Sequence, residues 1–213
     1  MQKIILLSTF LTLVAGCVSQ PNVHAAASAK PKVILIIGDG IDDHQITIGR
    51  NYLVGGTGRL VLDGMPYRGA VQVQAVAERD LGIPDYVGDS ASGPTAMASG
   101  IVTSIGRIGT TAQTDRDVPN IMELARSAGF GTGIVTTARV TDASPASFVA
   151  HISNRGIGYA ANDSPHWEEH SGVQVPLYAS GPAAQKLPQF LRQADIFDIA
   201  ATHLGLSESW PGQ

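Results

Sequence analysis

The chain has one cysteine in 213 residues, Cys17, so no disulfide can form within it. Aromatic residues are scarce at 6%, while glycine is frequent at 24 residues. That composition argues against an all-β binding module and for a loop-rich α/β enzyme. Lys and Arg number 14 against 18 Asp and Glu, and no basic run occurs. A net charge of −4 argues against nucleic acid or an acidic membrane surface as the main partner. Also missing is an apolar run of the roughly twenty residues that a membrane-spanning helix needs. The length suits one domain, and no internal repeat or low-complexity block stands out beyond a short tether.

Residues 1–17 read as a signal peptide rather than as part of the fold. Lys3 supplies the positive start, Ile4 to Val14 the apolar stretch, and Ala15-Gly16-Cys17 the small-residue ending. Val14-Ala15-Gly16-Cys17 resembles a bacterial lipobox, in which the cysteine is lipidated and becomes the new N-terminus. The alternative is ordinary cleavage near Ala25-Ala26-Ala27 or Ala27-Ser28-Ala29. Either route implies an exported protein, periplasmic or held to the membrane as a lipoprotein by an anchor on Cys17. Residues 18–31 are small, polar and Pro-containing, and read as the tether.

Lys32 to Ile37 is a β-branched and Leu run closed by Gly38-Asp39-Gly40, the pattern of a central parallel strand buried on both faces. Gly131 to Thr137 predicts a second buried strand, Gly69 to Val76 an alternating one, and Val173 to Ala179 another. Helices are predicted around Asp43 to Tyr52, Ser90 to Ile101, Val118 to Ala128, Ser144 to Ser153 and Ala194 to Leu206, the last ending at Gly205. Strands alternate with helices, so the expected fold is α/β: three layers, α/β/α, around a mostly parallel sheet. In open sheets of this kind ligands bind beyond the carboxyl ends of the strands, where Asp39 and Thr141-Asp142 fall.

Three clusters carry chemistry. Asp39, between two glycines at a strand end, can hold a hard cation, or can simply cap the next helix. Asp89-Ser90 precedes a helix of small residues, where free N–H groups and the helix dipole attract phosphate oxygens. A serine hydroxyl there needs a base or a metal to become a nucleophile, and plain N-capping by Asp89 or Ser90 is the alternative. Thr141-Asp142-Ala143-Ser144-Pro145 adds a carboxylate and a hydroxyl at the next strand–helix junction. Arg155 follows, a planar fork able to clamp two phosphate oxygens or to sit solvated at a helix end.

In order, Val33-Ile34-Leu35-Ile36-Ile37-Gly38-Asp39-Gly40, then Gly88-Asp89-Ser90-Ala91-Ser92-Gly93-Pro94-Thr95-Ala96, then Thr141-Asp142-Ala143-Ser144-Pro145-Ala146 with His151-Ile152-Ser153-Asn154-Arg155, resemble the alkaline phosphatases. The resemblance runs almost continuously from Lys32 to Arg155. It implies hydrolysis of small phosphate monoesters through a phosphoserine, with Zn²⁺ and Mg²⁺ as cofactors. On that resemblance Asp39 bridges a zinc and the magnesium, Ser90 is the nucleophile on the same zinc, and Asp142 and Ser144 belong to the magnesium site. Ser144 stands where the family usually has Thr. Arg155 falls on the phosphate-clamping arginine, and a homodimer is a common state of the family.

The remainder departs from the pattern. His170 and the strand after it resemble the end of the family fold, which would make His170 a ligand of the second zinc. The long family segment between the arginine and this histidine is missing, as if deleted around residues 156–168. With it go a magnesium-binding Glu, an Asp-x-x-x-His pair and an Asp-His pair. The only Asp-His here, Asp43-His44, lies in the first motif's helix. His166-Trp167-Glu168-Glu169-His170 matches the inverted zinc-protease motif H-x-x-E-H, but Pro165 and Ser171-Gly172 leave it one turn, so a fortuitous juxtaposition is the simpler account. His151 reads as a helix-face residue; His24 and His203 suggest no site. The expected organisation is therefore an incomplete domain over 32–206, in parts 32–155 and about 169–206, with a tail at 207–213. Two functions stay open: an active phosphatase, or an inactive remnant that binds phosphate or metal weakly.

Overall fold

The structure is a computed structural model and describes residues 30–153, 172–182 and 184–206. Cys17 with its leader, Arg155, His170 with the run from His166, and the tail lie outside the described residues. The core forms where the side chains are smallest. Helix α2, Ser92–Ser99, is buried along its whole length, and its Ser, Gly, Thr and Ala side chains let neighbours approach closely. Around it pack α3 (Ile121–Ser127), the single turn α4 (Ala143–Ala146) and α5 (Asp195–Leu204). Gly100 ends α2 with φ +73°, and a Cβ there would stand 2.9 Å from Phe197 Cδ1 of α5. Both the turn and the close crossing therefore need glycine.

Strand β1, Tyr67–Gln72, is the centre of a three-stranded sheet. β4, Val175–Ala179, pairs with it antiparallel, setting Tyr67 opposite Ala179 and Val71 opposite Val175. β5, Phe190–Arg192, pairs on its other edge in parallel, with Ala70 opposite Phe190. Tyr67 and Val71 share one face and are buried, as the two-residue period requires. A separate hairpin joins β2, Ala75–Ala77, to β3, Asp80–Asp85. Helix α1, Asp43–Val54, begins with an Asp42–Gln45 capping box and buries none of its residues. Polar ties hold it: Arg50 to Asp63, and Asp43 to Arg68, whose guanidinium also lies 5.5 Å from the ring centre of its cross-strand partner Tyr178.

The α/β class holds, with an incomplete sheet of mixed pairing. The expected strand at Lys32–Ile37 does not form: the run is extended, with Ile34 and Ile36 facing solvent at 86% and 87% exposure. Gly131–Thr137 likewise forms no strand, and Val135 is fully exposed. A strand of this composition is ordered by ladders on its edges and by cover on its faces, and no described residue pairs with either run. The helix expected over Ser144–Ser153 stops after one turn, because Ile152 leaves it to make a two-way bridge with Ile108.

One buried charge organises the loops above α2. Arg107, 2% exposed, places Nε 2.8 Å and Nη2 2.6 Å from the two oxygens of Glu78, and Nη1 2.6 Å from Asp115 Oδ1. Glu78 also accepts from the Ser104 hydroxyl and from the Gln113 amide. Gln113 and Asp115 hold φ of 65° and 53°, uncommon for non-glycine residues, and both reach this network. Hydrogen bonding from Arg107 chiefly holds the Glu78 carboxyl down at about 2, against an ordinary 4.5. A depressed carboxylate stabilises the fold above its unfolded value and loses that contribution as pH falls through the folded one. Acid unfolding is accordingly expected to deepen between the ordinary value and about 2 in the native chain and to lose that component in Glu78→Gln. Arg107→Met should cost on the order of 3 kcal/mol in urea unfolding, the low end for a broken buried pair because Glu78 is partly exposed.

Candidate active site

Two glycine-bounded turns and one helical turn bring three of the sequence clusters together. Asp39 sits between Gly38 and Gly40, and Gly40 turns the chain with φ +66°. Across 105 residues, the Ser144 hydroxyl donates to Asp39 Oδ2 at 3.2 Å, at the exposed surface. Asp142 stands at the N-cap position of α4, but its side chain does not cap the helix. Its carboxylate instead accepts from the Arg139 amide at 3.1 Å and from Arg139 Nε at 3.2 Å.

Ser90 lies in the turn before α2 and is partly exposed. The capping work there belongs to its neighbour. Asp89 Oδ1 accepts from the Ser92 amide and the Ser92 hydroxyl, each at 2.7 Å, and from the Ala91 amide at 3.3 Å. Asp89 Oδ2 accepts from the Gly106 amide at 2.9 Å, fastening the turn to the Arg107 loop. The capping expected of Asp89 or Ser90 is thus seen at Asp89.

Packing joins the Ser90 turn to α4. Ala91, Ile108 and Ala146 form a buried cluster, with Ala143, Ala150 and Ile152 packed against it. The Ser147 hydroxyl shares its hydrogen between the carbonyls of Ala143 at 2.9 Å and Ala91 at 3.2 Å. Thr95 donates to the Arg107 carbonyl and accepts from the Gly109 amide, each at 3.0 Å. Asp39, Ser144, α4, Ala91 and Ser90 are thus linked by direct bonds and contacts. Arg155 and His170 lie outside the described residues, so their place in this arrangement is not given.

Residues 30–166 match the family model described as alkaline phosphatase. The chain belongs to the alkaline phosphatase family. It is 46% identical over 149 residues to the streptomycin-6-phosphate phosphatase of Streptomyces griseus, spanning 70% of this chain and 33% of that protein. With the alkaline phosphatase of Escherichia coli K12 it shares 42% identity over 131 residues, 60% of this chain and 27% of the relative. A solved alkaline phosphatase from the Antarctic bacterium TAB5 aligns at 32% identity and a TM-score of 0.49, over 58% of this chain and 33% of that one. The chain therefore spans about a third of the length of the relatives it matches.

The family brings metal dependence. Asp39, Asp142 and Ser144 offer oxygens only, the preference of Mg²⁺. Zn²⁺ wants nitrogen or sulfur donors beside carboxylates, and among the described residues no group of three or more His, Cys, Asp or Glu could hold a metal. Both ring nitrogens of His151 are already engaged, by the Gly109 carbonyl and by Glu123. Among the described residues, Asp39, Asp142 and Ser144 are thus oxygen donors of an incomplete site.

Sequence reasoning named Asp89 as a candidate cap of the helix after it, and the structure shows it accepting from the Ala91 and Ser92 amides. It missed Thr95, Ser147 and Arg107, whose partners stand far along the chain. Removing the Asp89 carboxylate tests the reading: Asp89→Ala should lower stability by about 1–2 kcal/mol in urea unfolding. Asp89→Asn should recover only part of it, because the amide oxygen can accept from the Ser92 amide but the NH2 cannot accept from Gly106.

Proposed function

We propose that this chain acts on small phosphate monoesters, with Ser90 as the group that accepts the phosphoryl. The observation that carries the reading is the linkage of Ser90, through Ala91 and α4, to the Asp39–Ser144 pair. Asp89 keeps the Ser90 turn in shape by accepting from the Ala91 and Ser92 amides that open α2. Arg155 would bind two oxygens of the transferring group through its fork. The Ser90 Oγ–P bond forms as the ester P–O bond breaks, the proton lost by the Ser90 hydroxyl balances the one the leaving alkoxide takes up, and water then cleaves the phosphoserine, its oxygen going to phosphate and a proton back to Ser90 Oγ. Mg²⁺, held by Asp39, Asp142 and Ser144, would supply neutralising charge beside the phosphate. No step is assigned to zinc.

Export by the N-terminal leader, a lipid anchor on Cys17 and a homodimer extend the same reading. Support for the first two is the sequence pattern of residues 1–17, and for the third, family membership. The C-terminal part from about 169 to 206, with His170 as a metal ligand, also belongs to this proposal.

A second reading is supported by the absence of a three-ligand metal cluster among the described residues. It takes the chain as an inactive relative that at most binds phosphate or one cation weakly. Both are settled by one preparation of the mature chain with Mg²⁺ and Zn²⁺. If the first holds, p-nitrophenyl phosphate is hydrolysed and Ser90→Ala loses at least about a hundredfold in kcat/KM, the scale of removing a covalent nucleophile. Equal rates for the two chains, or less than one bound metal per chain by mass spectrometry, would leave the inactive reading standing.

A further inference from the structure

His151 is not the helix-face residue that its sequence position suggested. Its ring is inserted between two acceptors, with Nδ1 2.8 Å from the Gly109 carbonyl and Nε2 2.9 Å from Glu123 Oε1. A neutral imidazole carries one N–H, so it can serve only one of them as donor; the imidazolium serves both. Gly109 lies on the loop that contributes Ile108, and Glu123 is the capping-box residue of α3, where it also accepts from the Asn120 amide. The next residue, Ile152, exchanges two backbone bonds with Ile108. Ala150, Ile152 and Ile108 form one side of the cluster holding Ala91 and Ala146, which carry the Ser90 turn and α4.

We propose that His151, doubly bonded between Gly109 and Glu123, is a proton-dependent latch that fixes the Ile108–Ile152 bridge beneath the Ser90 turn. The latch itself rests on these contacts alone; only its consequence for turnover rests on the phosphatase reading. Protonation closes it, because both acceptors are then satisfied. Deprotonation leaves one nitrogen lone pair facing either a carbonyl or a carboxylate, and the segment loosens. Among the described residues, the charged groups facing the ring are Glu123 on α3 and Asp117 on the loop before it. Both are carboxylates and favour the closed form. Burial of the ring opposes protonation, but the Glu123 and Gly109 hydrogen bonds outweigh it and hold the pKa above the ordinary 6.5. A raised histidine stabilises the fold fully below its unfolded value and loses that contribution as pH rises through the folded one.

Amide hydrogen exchange by NMR on the full chain reads the latch directly. Protection factors at Ile108 and Ile152 should fall about tenfold between about pH 5.5 and 8.5, the scale of one charge-assisted hydrogen bond. His151→Ala should show the lower protection throughout and no pH step. Should that variant fail to fold, Glu123→Gln, read with the ring-proton titration of His151, tests the same point: the step should shrink and the histidine titrate at lower pH. Protection independent of pH in the native chain, or an unchanged step in Glu123→Gln, overturns the latch. Exchange needs no turnover, so an inactive chain would sink the phosphatase reading alone, and a flat exchange profile would sink the latch alone.

Discussion

The guanidinium of Arg107 is the constraint on which the rest of the described structure depends. A cation this buried must be paired, and it is paired twice, by Glu78 from the hairpin and by Asp115 from the following loop. Those bonds fix the course of residues 104 to 115, and Gln113 and Asp115 are held in left-handed backbone to complete them. The same residue's carbonyl receives the Thr95 hydroxyl from α2, and the next residue, Ile108, enters the cluster beneath the Ser90 turn. One buried charge thus sets the distance between the hairpin, α2 and the bridge to Ile152.

Small side chains make that arrangement possible. From Ala91 to Gly100 every residue up to Ser99 is buried. Apart from Pro94 and Met97, α2 is made of Ala, Ser, Gly and Thr and offers little apolar area for its length, so hydrophobic burial alone stabilises it weakly. Buried hydroxyls complete its contacts: Thr95, Ser99 and Ser147 each bond to a main-chain carbonyl. The specificity of the packing comes from these bonds, since an unpaired buried hydroxyl would cost more than the net gain of a made one.

Much of this was legible in the sequence, and the failures have a common cause. Helices α1, α2, α3 and α5 and strand β4 were readable because their signals are local: caps, small-residue or amphipathic periodicity, and a glycine at the end of α5. Asp39, Ser90, Asp142 and Ser144 stood out as motif residues, and the structure brings Asp39 and Ser144 into contact. What could not be read was pairing. Lys32–Ile37 carries the composition of a central strand, yet composition does not supply the neighbouring strand that would order it. Arg107 and His151 were opaque for the same reason, because their partners stand in other elements: Glu78 for the first, Gly109 and Glu123 for the second.

The unpaired run bears on the site itself. Along Val33–Ile37 the exposure alternates at 42, 86, 38, 87 and 39%. The backbone therefore keeps a strand's two-residue period without ladder bonds to any described residue. Asp39 is at the end of this arm, whereas Ser90, Asp142 and Ser144 belong to the closely packed region built on Arg107. The site is consequently asymmetric: one half is held by buried bonds, and the other by an exposed contact between Ser144 and Asp39. An exposed hydrogen bond contributes little against water, so it registers the two halves without holding them rigidly. A ligand that bound both Asp39 and Asp142 would add a second tie between the two halves, beside the exposed Ser144–Asp39 bond.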